Sequence, residues 1–294
     1  MTYSYFESPM KKHLSLFFLF LSCFMIYSGN IYSLLASSPQ ENSQRGLESI
    51  LKKCAEYCER LSQSSLLFSC RETIEEKIYH SHPDSGRILK FPGDEQLRKN
   101  EIYTYVYDYK FSLRDKRIEE SRVLVEENGR KKHEEDARLK TRMFKDKIVL
   151  FEPIGLLSEE WQRHYEYKLS KEIKLKKEKS ILIEAIPRSY EESSLLSAKL
   201  WVSEEDFSVL KIEWTQTSLG GFEGIAKTAE GLEVKPRIMF VSEFALEKNG
   251  IRFPSKYLIK ETYIGPDQKR FIRSETQIRY DNHHFITVET NIID

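Results

Sequence analysis

Cysteine and histidine are the residue types in this chain that could bind a metal ion or carry redox chemistry. Cys54 and Cys58 lie one helical turn apart, Cys70 follows them, and His80 and His82 form a close pair. A zinc site would need a fourth ligand beside the three thiols, and none is adjacent in the sequence. We therefore predict no metal site and no catalytic residue here, and we interpret the two histidines as a solvated loop pair.

The same cysteines could instead form a disulfide. Three is an odd number, so one thiol would stay free or pair between chains. Two cysteines on one face of a rigid helix aim poorly at each other. Cys70, in the segment that follows, is the better partner for Cys58 or Cys54. A structural disulfide and plain buried thiols both remain open.

The N-terminus has the features of an export signal. Lys11 and Lys12 precede the apolar run 14–27, and small residues follow up to Ala36. A basic region, an apolar core and a small residue at the cleavage point define a secretory signal peptide, which we place at residues 1–36. Two alternatives stay open: lipidation at Cys23, and an uncleaved anchor. All three predict a protein of the periplasm or the outer envelope.

Residues 37–294 are predicted to form a single domain that begins with a helix. Over 43–61 the apolar residues recur at helical spacing and form one stripe. The stripe consists of Leu47, Ile50, Leu51, Cys54, Cys58 and Leu61. The sequence therefore predicts one N-terminal amphipathic helix that packs through this face.

The rest of the domain has the pattern of β-strands. The stretch Ala198–Thr217 alternates apolar and polar residues on both sides of an acidic turn, which is typical of an antiparallel hairpin with one buried face. We place this hairpin at the middle of a large sheet. The other predicted strands are 66–79, 102–113, 118–125, 165–175, 180–186, 237–246, 251–264, 270–280 and 285–292. No helix recurs between them, which excludes a parallel α/β sheet and predicts one curled antiparallel meander of about eleven strands.

One strand carries an unusual row of aromatic residues. Tyr103, Tyr105, Tyr107 and Tyr109 alternate with other residues and therefore share one face. A curved sheet lined by large apolar side chains can enclose a lipid-sized cavity when a helix covers it incompletely. A fully packed core is the competing interpretation.

Motifs of enzymatic chemistry are missing from the sequence. It contains no Gly-rich phosphate loop, no nucleophile elbow and no paired-cysteine zinc pattern. The acidic residues are interpreted as solvent-facing positions of the strands. The formal net charge of zero gives no indication of a nucleic-acid partner. We expect no cofactor and no enzymatic activity.

The hairpin K-L-W-V-S-E-E-D-F-S-V-L-K-I-E-W, Lys199–Trp214, resembles the corresponding hairpin of the LolA-like superfamily, which includes periplasmic lipoprotein carriers and related sensor domains. The order of elements along most of the chain resembles that superfamily as well. The resemblance implies an α+β fold: a strongly curved, open half-barrel with an N-terminal helix and short lid helices on its concave face. It also implies a non-enzymatic protein whose apolar interior holds acyl chains.

We therefore expect a monomeric, exported cell-envelope protein that binds a lipid or lipoprotein acyl chain in this interior. The alternative is an envelope sensor or protein-interaction module with a closed core, whose partner is another envelope protein. The candidate residues divide into a wall and a lid. The wall candidates are Tyr105, Tyr107, Tyr109, Trp214, Phe244 and Tyr257, and the lid candidates are Leu156, Leu157 and Trp161.

Overall fold

The computed structural model describes residues 39–64, 66–80, 100–114, 117–141, 149–175, 178–188, 197–214 and 222–286. The chain divides into two compact units, Met1–Glu48 and Ser49–Asp294. In the first unit the described residues are the beginning of a helix, and the second unit holds the rest of that helix and every described strand. The signal peptide predicted at residues 1–36 lies outside the described residues.

The described elements are one long helix, several short ones and thirteen strands. The helices are α1 Pro39–Gln63, a 3₁₀ turn Val149–Phe151, α2 Ile154–Leu157, α3 Glu159–Gln162 and α4 Phe222–Gly231. The first seven strands are β1 Leu66–Ile78, β2 Glu101–Arg114, β3 Arg117–Glu127, β4 Arg130–Glu134, β5 Tyr165–Leu175, β6 Glu178–Pro187 and β7 Ala198–Ser203. The remaining strands are β8 Val209–Trp214, β9 Lys235–Glu243, β10 Leu246–Lys248, β11 Ile251–Phe253, β12 Lys256–Ile264 and β13 Arg270–Phe285. No helix among the described residues combines the length and the apolar character that crossing a membrane requires.

Eleven of these strands form one antiparallel sheet in the order β4-β3-β2-β1-β13-β12-β9-β8-β7-β6-β5. The sheet is curved and does not close, since β4 and β5 lie at opposite edges. An antiparallel, open half-barrel was predicted, and this prediction is confirmed. The topology is not the single meander that we expected, because the last strand β13 pairs with the first strand β1. The chain therefore crosses from one edge of the sheet to the other between β4 and β5.

The hairpin β7–β8 has the predicted alternation, with Leu200 paired to Ile212 and both side chains buried. We predicted this hairpin at the middle of the sheet, but it lies toward the β5 edge. The reason is that the first four strands extend the sheet on the far side of β13. Two tight turns carry the Asn-Gly pair that is typical of hairpins. Asn128-Gly129 and Asn249-Gly250 all have positive φ, the combination that a type I′ hairpin turn requires.

Three strand boundaries differ from the sequence interpretation. The predicted strand 251–264 is interrupted at Pro254, which has no N–H to donate, so β11 pairs with β10 in a separate two-stranded sheet. β13 continues without a break to Phe285, and residues 287–292 of the predicted strand 285–292 lie outside the described residues. Strand β4 was not predicted; it is an exposed edge strand, and Ala137 and Thr141, which follow it, are buried.

The inner face of the sheet is covered by three pieces of chain. Helix α1 uses its apolar stripe, in which Cys54, Tyr57, Cys58 and Leu61 are almost completely buried. Residues 149–162, which we call the lid segment, contain the 3₁₀ turn, α2 and α3. The third piece is the β10–β11 hairpin. Together they remove the apolar side of a one-layer sheet from water, which such a sheet needs in order to be stable.

Phe253 attaches the β10–β11 hairpin to the sheet. Its ring packs edge-on against Phe68 on β1, with 5.3 Å between ring centroids, and against Phe285 on β13, with 4.8 Å. The side chain is 1% exposed. The hairpin is therefore a part of the core and not a surface appendage.

Replacing Phe253 by Ala is expected to lower the free energy of unfolding by about 3–5 kcal/mol, because a fully buried ring leaves a cavity behind. Urea denaturation followed by circular dichroism measures this loss. The control is Ile102→Ala, which removes a large apolar side chain that is 60% exposed and should change stability by less than about 0.5 kcal/mol. A loss below about 1 kcal/mol for Phe253→Ala would show that the hairpin is not docked in solution.

Candidate functional site

The predicted wall residues all lie at buried positions, but in two separate groups. Tyr105, Tyr107 and Tyr109 alternate along β2 toward the inner face, and each is 7% exposed or less. Trp214 on β8 and Tyr257 on β12 lie several strands away along the sheet. The sheet order therefore places the tyrosine row and the second group at different parts of the inner face.

The second group is joined by a residue that the sequence interpretation did not select as part of the wall. Phe240 on β9 stacks against Trp214, with ring centroids 6.1 Å apart, and contacts Tyr257 edge-on at 4.7 Å. Phe244, just after β9, is 1% exposed, and its N–H donates to the carbonyl of Leu210. Trp214, Phe240 and Tyr257 form a continuous surface of aromatic rings across three neighbouring strands, and we call this surface the aromatic floor.

The lid segment places two of its three predicted residues inside. Leu156 and Leu157 on α2 are fully buried. Trp161 on α3 is different, because it is 36% exposed and packs beside the ring of His164. The short helix α3 presents no buried residue, so Trp161 lies on the outer side of the lid segment and does not line the interior.

Polar contacts from helix α1 and strand β5 hold the lid segment in place. The Gln162 amide donates to the carbonyl of Leu51 at 2.8 Å, and the Cys58 thiol donates to the carbonyl of Pro153 at 3.5 Å. The Tyr167 hydroxyl donates to the carbonyl of Leu156. These bonds connect groups that are distant in sequence, so the lid segment is positioned by its neighbours and not by its own short helices.

One carboxylate of the lid segment reaches the aromatic floor. The indole N–H of Trp214 donates to Oε2 of Glu152 at 3.4 Å, and the hydroxyl of Ser242 donates to the same oxygen. Trp214 is 8% exposed and Ser242 is fully buried. Burial raises the pKa of Tyr257 well above its usual value, and the charge of Glu152 adds to that rise, so this phenol also lies near the carboxylate.

The interior is closed at the wall residues. A space wide enough for an acyl chain would leave part of each lining side chain accessible to water, yet the six wall candidates are at most 8% exposed. A cavity of about 70 Å³ lies elsewhere, between the end of α4 and the β12–β13 turn, and is lined in part by Leu232, Tyr263 and Phe271. It is large enough for about two water molecules and not for a lipid chain.

A buried ion pair lies among the β2 tyrosines. Glu72 on β1 is fully buried and accepts two hydrogen bonds from Arg122 on β3, at 2.8 and 3.4 Å. The guanidinium lies over the ring of Tyr109 at 4.7 Å, and the Tyr109 hydroxyl donates to Glu120. Burial raises the pKa of Glu72, whereas the charge of Arg122 opposes that rise. Burial lowers the pKa of Arg122, but Glu72, Tyr109 and Glu120 together raise it by more, so the guanidinium keeps its charge.

Two further acidic residues are buried on the same face. The Thr276 hydroxyl donates to Glu76 at 3.2 Å, and Ser274 donates to Glu261 at 3.0 Å. The sequence interpretation placed the acidic residues toward solvent, and for Glu72, Glu76 and Glu261 this was wrong. Glu72 and Glu76 share their parity along β1 with Phe68, Cys70 and Ile74, a signal that could have identified them.

The three described cysteines are all buried and free. The disulfide predicted between Cys70 and Cys58 or Cys54 is therefore not formed. Cys58 faces Pro153 of the lid segment, whereas the surroundings of Cys70 include Glu72 and Arg122. Burial raises the pKa of Cys54 to about 12 and raises the pKa values of Cys58 and Cys70 as well. No group of three or more His, Cys, Asp or Glu residues is placed to bind a metal ion in the described part of the chain.

Comparison with known proteins gives distant structural likenesses. The sequence matches no family model and no curated protein. Among solved structures, the chain is similar to an outer membrane lipoprotein-sorting protein domain from Vibrio parahaemolyticus, with a TM-score of 0.37 and 11% identity over 83% of this chain and 94% of that one. It is also similar to a DUF1329 family protein from Desulfovibrio piger, with a TM-score of 0.35 and 12% identity over 82% and 95% of the two chains.

A third similar structure is a LolA superfamily protein from Nitrosomonas europaea, with a TM-score of 0.31 and 10% identity over 81% of this chain and 94% of that one. The β7–β8 hairpin resembles that of the LolA-like superfamily, and one of the similar solved structures is named as a LolA superfamily protein. The likeness extends over most of each chain. It carries no information about a ligand.

The cysteines give a direct test of the interior. In the native protein at pH 8, Cys54, Cys58 and Cys70 should resist alkylation by iodoacetamide, because burial blocks access and the raised pKa values suppress the thiolate. In denaturant without a reductant, all three should be alkylated. Peptide mass spectrometry measures both states, and a Cys70 peptide linked to a Cys54 or Cys58 peptide would contradict the free thiols.

The ion pair gives a second test. Arg122→Met leaves Glu72 buried without its partner and should lower the free energy of unfolding by about 3–5 kcal/mol. The pKa of the folded-state Glu72 carboxyl should then lie further above its unfolded value. Because the folded state would hold a proton that the unfolded state releases, the stability of the variant should fall as pH rises from 5 to 8. Urea denaturation at several pH values measures both effects.

Two controls belong to this test. Arg71→Met removes the exposed pair between Arg71 and Asp108 and should cost at most about 1 kcal/mol. In the double variant Arg122→Met/Glu72→Gln, the additional fall of stability with pH should disappear. A slope that persists in the double variant would mean that another group titrates.

Proposed function

We infer that this chain is an exported cell-envelope protein that binds a lipid or lipoprotein acyl chain inside the half-barrel without catalysing a reaction. The observation that carries this proposal is the way in which the interior is filled. Leu156 and Leu157, both fully buried, belong to the lid segment and not to the sheet. An acyl chain could take their place if the lid segment moved outward, and the sheet itself would not have to change.

The attachment of the lid segment is compatible with such a movement. Its helices α2 and α3 are four residues each, too short to be stable alone. Its described hydrogen bonds to other elements come from single side chains such as Gln162, Cys58 and Tyr167. A segment held by a few side-chain hydrogen bonds and three buried leucines, Leu150, Leu156 and Leu157, can exchange its apolar burial for that of a ligand at low net cost.

The export signal and the resemblance of the β7–β8 hairpin support the cellular location. Lys11 and Lys12 followed by an apolar run favour secretion, which would place the half-barrel in the periplasm or outer envelope. Buried thiols without a disulfide are compatible with that location, because inaccessible cysteines oxidise slowly. Anchoring through the N-terminus, by lipidation at Cys23 or by an uncleaved signal, belongs to this proposal as an alternative to cleavage after Ala36.

A second function is favoured by the low exposure of the wall residues. An interior that stays closed would make this an envelope sensor or protein-interaction module, with its contact surface on the outside. In that case the lid segment is a permanent part of the core. The two functions differ in whether an apolar probe can enter.

Leu156→Ala distinguishes them. Truncating this side chain empties part of the interior and weakens the closed lid, so the neutral probe 1-N-phenylnaphthylamine should bind several-fold more tightly to the variant than to the wild type. Trp161→Ala is the control in the same segment and should leave probe affinity unchanged, because Trp161 lies outside. Fluorescence titration measures the affinities. Absence of saturable binding to either protein, together with no acyl species in native mass spectra of protein purified from membranes, would favour the interaction module.

A further inference from the structure

Glu152 is a carboxylate of the lid segment that meets donors on the inner face of the sheet. Trp214 and Ser242 both donate to its Oε2, from β8 and β9. The two donors come from neighbouring strands whose pairing places Trp214 opposite Phe240. They are therefore held by the sheet, and the lid segment supplies only the acceptor.

The donors are buried and point at one acceptor, as donors do in a preformed binding site. Ser242 is fully buried, Trp214 is 8% exposed, and Tyr257 beside them is fully buried. Trp214 and Ser242 are neutral groups, and their hydrogens converge on one oxygen. Neutral donors in a dry setting suit a singly charged carboxylate, whereas a phosphate group is matched better by arginine or lysine. If the lid segment moved away, buried donors would lose their acceptor, which is costly.

The lid segment carries a carboxylate followed by apolar groups, the same combination as in a long-chain carboxylic acid. Its carboxylate is at Glu152, and its buried apolar groups include Leu156 and Leu157, which follow a few residues further along the chain. The carboxylate meets the two donors at the aromatic floor. The apolar groups lie within the interior that an acyl chain would occupy. One segment therefore fills both the polar and the apolar part of the same space.

We propose that Trp214 and Ser242 form a carboxylate subsite, that Glu152 occupies it as an internal substitute, and that the ligand displacing the lid segment is a long-chain carboxylic acid. This inference rests on the proposed function and adds the chemistry of the ligand's polar end. The ligand carboxylate accepts from Trp214 and Ser242, and its chain runs over the aromatic floor into the space of Leu156 and Leu157. No covalent step is involved.

Two probes of the same chain length test this subsite. cis-Parinaric acid carries the carboxylate, and its methyl ester does not, so the ratio of their affinities measures what the carboxylate contributes. Fluorescence titration of the full chain at pH 8 gives both constants. In Glu152→Ala the ratio of acid to ester affinity should rise about tenfold over the wild type, equivalent to about 1.4 kcal/mol, because the donors become free for the ligand.

Three variants separate this effect from simple loosening of the lid segment. Leu156→Ala should tighten the binding of both probes equally and leave the ratio unchanged. Glu152→Ala/Ser242→Ala should return the ratio toward the wild-type value, because one donor is lost. Glu159→Ala removes an exposed carboxylate of the same segment and should change neither constant.

Thermal unfolding shows whether each variant is folded. If Glu152→Ala is not, Glu152→Gln keeps the shape and removes the charge, and the ratio should rise in the same direction but less. An unchanged ratio in a folded Glu152 variant overturns the carboxylate subsite while leaving acyl binding intact. Failure of both probes to bind to any variant overturns the subsite and the proposed function together.

Discussion

The sheet has one apolar face, and covering that face is the constraint on which the rest of the structure depends. An eleven-stranded sheet of a single layer cannot bury its inner side chains by itself. Helix α1, the lid segment and the β10–β11 hairpin each contribute part of the cover. They are attached differently: α1 by its apolar stripe, the hairpin by Phe253, and the lid segment by a few polar bonds and three leucines. The lid segment also contacts the aromatic floor, through Glu152.

Local pattern in the sequence was sufficient for much of the architecture. Alternation in Lys199–Trp214, helical spacing around Cys54 and Cys58, and the two Asn-Gly turns all identify elements that the structure contains. These features depend on neighbouring residues alone. The pairing of β1 with β13 does not, since Ile74 and Ile278 are partners across most of the chain and nothing local marks them. The order of strands in the sheet was therefore beyond what periodicity could predict.

The candidate site was predictable in part for the same reason. Tyr105, Tyr107, Tyr109, Trp214 and Tyr257 occupy buried positions that alternation indicates. Which of them meet is decided by strand order, so the separation of the β2 tyrosines from the aromatic floor could not be anticipated. Glu152 and Ser242 could not be found from sequence either, because a half-buried glutamate beside a proline has no distinctive pattern. Trp161 was misplaced because a four-residue helix has too few turns to define a face.

The buried acidic residues show how the inner face differs along the sheet. Around β1 to β3 it contains the ion pair of Glu72 and Arg122, and Tyr109, whose hydroxyl donates to Glu120. Around β8 to β12 aromatic rings line the face, beside the polar groups of Ser242 and Glu261. At the β1 to β3 end, hydrogen-bond geometry therefore fixes which polar groups are partners. The other end is held mainly by apolar contact, which is tolerant of exchange between one apolar occupant and another.

The position of β13 has a consequence for how this chain acquires its structure. Strand β1 has β2, the next strand along the chain, on one side, but its other neighbour is Arg270–Phe285, far along the sequence. The two halves of the sheet thus cannot be joined until residue 285 has been synthesised, and contacts of such high sequence separation form slowly. Until then the nascent chain lacks its stable fold.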